Sequence, residues 1–408
     1  MELMNQPLDG QLGTRLLELL DSPHYDTLNI VVAFAKNSGV LRIKDALDSF
    51  RRRGGVVNAY VGVDLGVTSY EALTALLYVT DSLGVVHTEK KQTFHTKIYQ
   101  FLGKEKGIIV VGSHNLTGGG LWTNFESSAH ISLDLSNPDD IEIIKAQEGY
   151  FKNLSSLNDS FMPVRTKGDL NLLLENEYIF KEVKQQLDSA KSSRKESNSK
   201  RLFGNGVPAK LPFINTMPKN DNSEAAVTKN GESRELQKKH SKTIWFETRR
   251  LTGGSRNILD LSMRSLVERG EPKGTPFDLG ESGYMRGGVE FFGVDPASTN
   301  VIKDVTLNFE GVDYRHNIIL FPTGGNANGT WRLQIKGTSS SKQKITEAFR
   351  NKGEGDYLVQ KVVTFTKVMD DYYFLSVFPE SELKNFEEAS RILARNGSTK
   401  SAKRLGLL

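Results

Sequence analysis

The stretch Phe94–Glu126, FHTKIYQFLGKEKGIIVVGSHNLTGGGLWTNFE, combines clear strand signals with polar residues that stand out beside apolar runs. Two apolar runs, Phe94–Phe101 and Gly107–Gly112, are joined by a short GKEK turn and predict neighbouring strands. Because side chains alternate along a strand, His95 and Lys97 are expected on one face of the first strand. The second run ends in Gly-Ser-x-Asn, which predicts a polar turn at the end of that strand.

Outward from this stretch, strand-like runs alternate with amphipathic helical stretches through the first 155 residues. The further predicted strands are Asn29–Ala35, Val56–Asp64, Val85–Thr88 and Phe125–Leu135, and the predicted helices are Ser38–Arg52, Tyr70–Leu83 and Asp139–Leu154. Strands that alternate with helices of this length predict an α/β sandwich around a largely buried mixed sheet.

Five polar residues on or beside these strands form a candidate site, and they are His95, Lys97, Ser113, Asn115 and Glu126. An ammonium, a hydroxyl and a carboxamide together suit the binding of a phosphate. A neutral imidazole is available near pH 7 to attack phosphorus or to relay a proton. A carboxylate can orient such a ring through its N–H. The set therefore predicts phosphoryl-transfer chemistry.

This order of motifs resembles the phospholipase D superfamily, in which His-x-Lys is followed, after four intervening residues, by Asp and then by Gly-Ser-x-Asn or a close variant. Here that position is Leu102, and Glu126 lies downstream. This departure is similar to the metal-independent restriction endonucleases of the BfiI and NgoFVII type. The resemblance implies a nucleophilic role for His95, a supporting role for Glu126, and neither a metal nor a cofactor. It implies phosphate binding by the other three members of the set, Lys97, Ser113 and Asn115.

Enzymes of this superfamily use two His-x-Lys motifs per active site, one histidine attacking and the other protonating the leaving group. This chain has one such motif on a predicted strand, because His240-x-Lys242 lies in a polar stretch with no Gly-Ser-x-Asn after it. The resemblance therefore implies a homodimer whose N-terminal domains build one shared site around a two-fold axis. His95 of one subunit would form a phosphohistidine while His95 of the other acts as the general acid.

The distribution of charged and apolar residues divides the chain into three parts. Residues 1–180 contain 16 Lys and Arg against 22 Asp and Glu, residues 181–242 contain 14 against 7, and residues 243–408 contain 23 against 20. We predict a phospholipase D-like nuclease and dimerisation domain, a basic linker and a DNA-recognition domain, in that order. The apolar island Leu211–Ile214 in the linker is compatible with a passive tether and with a segment that restrains cutting until DNA is bound.

From residue 243 onward, short apolar runs recur between Gly, Pro, Asn and Asp clusters, which predicts a mainly β barrel or sandwich. Guanidinium and amide groups bind phosphates and base edges, and two of its loops are rich in them. These candidate DNA-binding residues are Arg249, Arg250, Thr252, Ser255, Arg256 and Asn257 in the first loop and Thr323, Asn326, Asn328 and Arg332 in the second. The arrangement resembles the plant B3-like pseudobarrel that BfiI and the N-terminal part of EcoRII carry. That resemblance implies two arms, 247–258 and 323–334, that grip double-stranded DNA.

Several classes of protein are excluded or disfavoured. The sequence contains no cysteine, which excludes a disulfide scaffold, a thiol nucleophile and cysteine-bearing metal sites. It has neither a signal-peptide pattern nor an apolar run of the roughly 18–20 residues that span a bilayer, so a soluble, cytoplasmic protein is expected. It has no phosphate-binding loop of an ATPase, so any ATP-driven translocase would be a separate subunit.

The leading interpretation is a sequence-specific, metal-independent DNA endonuclease of the restriction type. Two alternatives stay open. A phospholipase D-like lipid phosphodiesterase would favour a membrane-binding surface, which the sequence does not indicate, and would leave the β-rich domain unexplained. A catalytically silent DNA-binding regulator is disfavoured by the complete set from His95 to Glu126.

Overall fold

The computed structural model describes residues 1–90, 92–193, 207, 209–214, 242–249, 256–323, 329–353 and 356–408. The chain forms two compact units. The N-terminal unit is Met1–Glu182 with Lys200–Asn215, and the C-terminal unit is Val183–Ser199 with Thr216–Leu408. No helix among the described residues is both long enough and apolar enough to cross a membrane.

The N-terminal unit is built on one eight-stranded sheet. Its strands are β1 (Glu2–Gln6), β2 (Thr27–Val32), β3 (Val56–Gly62), β4 (Ser82–Val86), β5 (Lys97–Leu102), β6 (Lys106–Gly112), β7 (Glu126–Asp134) and β8 (Phe161–Pro163). The helices of this part of the chain are α1 (Leu12–Asp21), α2 (Asn37–Arg52), α3 (Tyr70–Val79), α4 (Pro138–Ser155), α5 (Lys167–Glu175) and α6 (Glu182–Ser193). The sheet order is β1-β7-β6-β5-β2-β3-β4-β8. β2, β3 and β4 are parallel neighbours and the other ladders are antiparallel, so the predicted mixed α/β architecture is confirmed.

Each face of this sheet is packed by a different set of helices. On one face, residues such as Ile30 and Tyr99 pack with Leu47 of α2 and Leu76 of α3 in the main core cluster, and all four are nearly inaccessible to water. On the other face, Ile144 of α4 packs over β6 and β7. Burial of one such aliphatic side chain stabilises the fold by about 1.5–3 kcal/mol. The strands are apolar on both faces for this reason, as the sequence indicated.

Several predicted elements of the N-terminal unit have different limits in the structure, and hydrogen bonds explain two of the differences. The helix predicted at Tyr70–Leu83 ends at Val79, because Asp81 accepts hydrogen bonds from the Arg51 side chain and from the backbone N–H of Val57. The strand predicted at Phe94–Phe101 begins only at Lys97. The backbone N–H of Phe94 donates instead to the Asp64 carboxylate, at 2.7 Å, which holds the preceding segment away from the ladder.

The C-terminal unit contains one eleven-stranded sheet. Its strands are β9 (Thr243–Glu247), β10 (Ile258–Leu261), β11 (Arg264–Arg269), β12 (Tyr284–Arg286), β13 (Ile302–Phe309), β14 (Val312–Leu320), β15 (Trp331–Gln334), β16 (Lys361–Met369), β17 (Tyr372–Pro379), β18 (Ile392–Arg395) and β19 (Arg404–Leu407). Among the described residues, the helices of this unit are α7 (Ile345–Gly353), α8 (Leu383–Ala389) and α6, which belongs to it from Val183 onward. The order is β10-β15-β14-β13-β17-β16-β9-β19-β18-β11-β12, so the two outermost strands are unpaired with each other and the described strands form no closed barrel.

The sequence of Glu380–Ala394 predicts one short helix, and the helix in the structure is shorter than that segment. α8 covers only Leu383–Ala389, because the next residue, Ser390, takes an extended conformation and bonds to the Trp245 side chain. The chain then enters β18. In the segment predicted as a linker, α6 covers the beginning, and Pro212 of the apolar island accepts a hydrogen bond from Arg42 at 2.9 Å. Residues 194–206, 208 and 215–241 of that segment lie outside the described residues.

Candidate active site

The motif residues of the N-terminal unit collect at one edge of its sheet. The ladder pairs the end of β2 with Lys97 at the start of β5. Because β5 and β6 are antiparallel, and β6 and β7 are antiparallel, the end of β6 at Gly112 and the start of β7 at Glu126 lie at the same edge. The fold thus brings together His-x-Lys, Gly-Ser-x-Asn and the downstream glutamate.

His95 and Lys97 are in direct contact. The Lys97 Nζ atom lies 2.8 Å from Nδ1 of His95 and donates to the backbone carbonyl of His95 at 2.7 Å. The His95 side chain is exposed at the edge, whereas Lys97 is only 6% exposed. Burial lowers the pKa of the Lys97 ammonium, and the negative charge of Glu126 partly offsets this effect. The predicted pairing of the two side chains is present, although His95 precedes the strand.

The contact with Lys97 has a consequence for the ring proton of His95. A protonated lysine can only donate, so the Nδ1 atom of a neutral His95 ring must accept. The ring proton then lies on Nε2 as long as this contact is present. Attack on phosphorus by Nε2 needs the opposite tautomer, with the proton on Nδ1. A phosphate that draws Lys97 away from the ring removes the contact that holds the resting tautomer.

Ser113 and Glu126 are also in direct contact. The Ser113 hydroxyl donates to Oε2 of Glu126 and accepts from the backbone N–H of Ser127 at 3.1 Å. The Asn124 amide donates to Oε1 of Glu126 at 3.2 Å. Among the described residues, the Glu126 carboxylate is hydrogen-bonded to Ser113 and Asn124 and not to His95, the predicted partner.

Asn115 is fixed from one side. Its Oδ1 atom accepts the backbone N–H of Phe34 at 3.1 Å, and its amide N–H groups have no hydrogen-bond acceptor among the described residues. The Phe34 ring packs edge-on against the His95 ring, with centroids 6.1 Å apart. Phe34 follows β2, so a residue from a third strand end links the Gly-Ser-x-Asn turn to the histidine.

A glycine is required where the chain passes behind Asn115. After the turn, Gly119–Thr123 forms a single π-helical turn, a geometry often found at functional sites. A Cβ atom on Gly120 would lie 2.3 Å from the backbone oxygen of Asn115, closer than atoms can approach. The predicted Gly-rich run is therefore needed to pack the π turn against the Asn115 backbone.

Asp64 is a site residue that the sequence analysis missed. It is 7% exposed and follows β3. One carboxylate oxygen accepts the Phe94 N–H, and the other lies 2.6 Å from Nδ1 of His87. Asp64 thus fixes the backbone next to His95. The available signal was an Asp directly after a buried strand, VVNAYVGVD, at the edge where the motif strands were expected.

Half of the predicted DNA-binding residues lie outside the described residues, namely Arg250, Thr252, Ser255, Asn326 and Asn328. Of the others, Arg249 and Arg256 each contact a carboxylate at 2.9 Å and Arg332 lies 3.8 Å from one. Asn257 accepts a backbone hydrogen bond from the residue after β15, and Thr323 is exposed. A nucleic acid would have to compete with these carboxylates for the arginines.

The stems of the two predicted arms flank one short ladder. The first arm leads into β10 and the second into β15, and these strands pair antiparallel, with Ile258 opposite Gln334 and Leu261 opposite Trp331. The points at which the two arms join these strands therefore lie at opposite ends of a ladder of four residue pairs. At about 3.4 Å per residue, the stems are about 10 Å apart along the strands.

Within the described ranges, no group of three or more His, Cys, Asp or Glu side chains has the spacing of a metal site. No family model matches the chain, and no curated protein sequence matches it.

Among solved structures, the chain is similar to a phospholipase D family member, Nuc from Salmonella typhimurium, at 16% identity and a TM-score of 0.30, covering 40% of this chain and 97% of that chain. For NucT from Helicobacter pylori the values are 17%, 0.28, 39% and 96%. For phosphatidylserine synthase from Haemophilus influenzae Rd KW20 they are 11%, 0.34, 47% and 45%. Similarity at this level assigns neither a family nor an activity.

Proposed function

We propose that this chain is a metal-independent DNA endonuclease that hydrolyses phosphodiester bonds through His95, with sequence specificity supplied by the C-terminal unit. The observation that carries the proposal is the meeting of His95, Lys97, Ser113 and Asn115 at one sheet edge. A nucleophile, a buried cation and two neutral hydrogen-bonding groups within one small area are what phosphodiester hydrolysis without a metal requires.

The phosphate-binding step follows from the charges and donors present. The Lys97 ammonium is held at the start of β5, where burial strengthens its attraction for an anion. The Oδ1 atom of Asn115 is occupied by the Phe34 N–H, and its amide N–H groups can donate to a non-bridging oxygen. The Ser113 hydroxyl can exchange its Glu126 partner for a phosphate oxygen. Binding moves Lys97 from Nδ1 of His95 to the phosphate, so the ring proton can shift to Nδ1.

The chemical steps then balance with two imidazoles. His95 Nε2 attacks phosphorus, the P–N bond forms, and the P–O bond to the leaving nucleotide breaks. A second imidazolium gives its proton to the leaving oxygen. Water next attacks the phosphohistidine and passes a proton to that second ring, which breaks the P–N bond and restores His95. Lys97 stabilises the negative charge of both transition states.

We assign the second imidazole to His95 of a second copy of the chain. Exposed apolar side chains beside the site support this assignment, since Leu3 and Phe125 are each 67% exposed and Val111 is 43% exposed. Leu3 and Val111 both lie opposite Ala129 in the sheet, about 10 Å apart, and so form one row on one face. Apolar surface of this kind marks interaction sites, and a two-fold contact here would bring the two site edges together.

For the C-terminal unit we propose a B3-like pseudobarrel that reads double-stranded DNA with two arms. The spacing of the arm stems supports this role. The stems lie about 10 Å apart on the β10–β15 ladder, close to the roughly 12 Å width of the major groove. Arg332 lies on this ladder, between the stems.

The test is cleavage of plasmid DNA in excess EDTA by the wild-type chain and by His95→Ala. We expect nicked or linear products from the wild type and a loss of at least roughly 10³-fold in the variant, because no other group replaces the nucleophile. His24→Ala, at an exposed histidine remote from the motif in sequence, is the matched control and should keep full activity. Cleavage that needs Mg²⁺, or that survives His95→Ala, would contradict the proposal. Release of a lipid headgroup without DNA cleavage would favour a lipid phosphodiesterase.

A further inference from the structure

A buried chain of polar side chains lies directly behind the phosphate-binding turn. His114, the third residue of Gly-Ser-x-Asn, is 1% exposed, Ser128 is 5% exposed and His130 is 2% exposed. The Ser128 hydroxyl lies 3.1 Å from Nε2 of His114 and 3.0 Å from Nε2 of His130. At the other end, Nδ1 of His114 lies 2.8 Å from the carbonyl oxygen of Gly120.

The direction of every hydrogen bond between these side chains follows from one acceptor, the carbonyl oxygen of Gly120. A carbonyl oxygen only accepts, so Nδ1 of His114 must carry the proton and donate to Gly120. Nε2 of a neutral His114 ring then accepts from the Ser128 hydroxyl. Having given its only proton to His114, Ser128 must accept from Nε2 of His130. Nδ1 of His130 is left with a lone pair, and this buried atom has no hydrogen-bond partner among the described residues.

This series of hydrogen bonds holds the Gly-Ser-x-Asn turn through its third residue, His114. Ser113 and Asn115 lie on either side of His114, so the bond from the His114 ring to Gly120 ties the turn to the π turn behind it. The backbone carbonyl of His114 also accepts from the Tyr99 hydroxyl at 3.2 Å. The same Gly120 carbonyl accepts from the buried side chain of Gln6 at 3.1 Å.

We propose that His114 is a positioning residue that holds Ser113 and Asn115 in their phosphate-binding arrangement through the chain His130–Ser128–His114–Gly120. This inference rests on the proposed function, because it assigns a purpose to the turn only if the turn binds a phosphate. His114 touches neither the substrate nor the reacting atoms. It acts through the backbone of its two neighbours.

The arrangement allows only neutral rings. A proton added to Nε2 of His114 forces that atom to donate to Ser128, so Ser128 must donate to His130 in turn. The proton of His130 then moves to Nδ1, where the described residues offer no acceptor. Burial lowers the pKa of both rings, more than the nearby charge of Glu126 raises the pKa of His114 and that of Glu2 raises the pKa of His130.

The remaining charged groups act in the same direction on His130. The charge of Arg15 lowers its pKa, and a proton bound to His114 would lower it further. A histidine whose pKa is lower in the folded chain destabilises the fold once it binds a proton. The arrangement of the turn is therefore complete above the ordinary histidine pKa of about 6.5 and is lost as the pH falls through the lowered values.

The first test determines which ring nitrogens carry the protons and does not depend on activity. The full chain, labelled with ¹⁵N-histidine, is studied by NMR at pH 7.5, and the two rings are assigned with His114→Asn and His130→Asn. We expect the proton of His114 on Nδ1 and that of His130 on Nε2. A proton on Nε2 of His114, or a charged ring at that pH, would overturn the proposal.

The second test separates positioning from folding. Hydrolysis of bis(4-nitrophenyl) phosphate is measured in EDTA, well below the unfolding temperature, for His114→Leu, His114→Asn and the control His24→Asn. Asparagine can still donate to Gly120 and leucine cannot. We expect kcat to fall about 10- to 100-fold in the leucine variant with KM nearly unchanged, and to recover largely in the asparagine variant, because small misplacements of positioning groups have effects of this size.

The asparagine variant should also retain activity at lower pH than the wild type, because its side chain does not titrate. Equal kcat in all three variants, or equal loss with leucine and asparagine, would refute the positioning role while His95→Ala still decides the proposed function. If the wild-type chain hydrolyses no phosphodiester, the proposed function is wrong. The affinity for inorganic phosphate then replaces kcat, and an affinity unchanged in the leucine variant would refute the positioning role.

Discussion

Among single residues, phosphate binding at the proposed site depends most on the charge of Lys97. Burial lowers the pKa of this ammonium, so Lys97 loses its proton at a lower pH than an ordinary lysine, whose pKa is about 10.4. The positive charge that binds phosphate is therefore present at neutral pH and disappears as the pH rises through the lowered value.

We predict that the affinity of the full chain for inorganic phosphate falls about tenfold per pH unit above that value, because one proton on Lys97 is coupled to binding. Lys97→Arg should abolish this decrease between pH 7.5 and 10, since guanidinium stays protonated throughout. Isothermal titration at constant ionic strength measures both. An identical pH dependence in wild type and variant would show that Lys97 does not carry the charge.

At the scale of elements, the π turn Gly119–Thr123 and the Gly-Ser-x-Asn turn form one packed piece. A methyl group on Gly120 would meet the backbone of Asn115, which cannot move aside as a flexible side chain can. We predict that Gly120→Ala lowers the free energy of unfolding by about 1–3 kcal/mol. We also expect cleavage to fall more than about tenfold, because Asn115 is displaced.

Gly149→Ala is the matched control for this prediction. Gly149 lies in α4, with nothing within 4 Å of an added Cβ, so alanine should be neutral or stabilising by up to about 1 kcal/mol. Chemical denaturation and plasmid cleavage are measured on both variants. Wild-type stability and activity in Gly120→Ala would show that the two turns are not packed as one piece.

Some of these residues and elements could be predicted from the sequence, and others could not. Strands such as Val56–Gly62 and the helix Asn37–Arg52 follow from local patterns of apolar residues, and the structure confirms them. The position of His95 outside β5 does not follow, because the Asp64 carboxylate that holds Phe94 comes from a residue 30 positions away. Likewise, the hydrogen bond from Ser113 to Glu126 depends on the register of two ladders rather than on the spacing of the two residues along the chain.

The edge strand and the ends of elements were also beyond sequence reasoning. β1 contains only five residues and is stabilised by pairing with β7, so its pattern alone is too short to indicate a strand. The buried amide of Gln6 explains why the chain turns inward there, since it donates to three carbonyls of the π-turn region. Such contacts exist only once the sheet has formed.

For the assembled protein, we propose that two copies of His95 act on one phosphorus atom, although each chain supplies only one. The measurement that tests it most directly is metal-free DNA cleavage by mixtures of wild type and His95→Ala, unfolded and refolded together at constant total concentration. If both histidines serve one shared site, only wild-type pairs cut, so activity follows the square of the wild-type fraction and is roughly one quarter in an equal mixture. Activity that falls in direct proportion to the wild-type fraction, to roughly one half in that mixture, would mean that each chain cuts with its own histidine and would contradict the account.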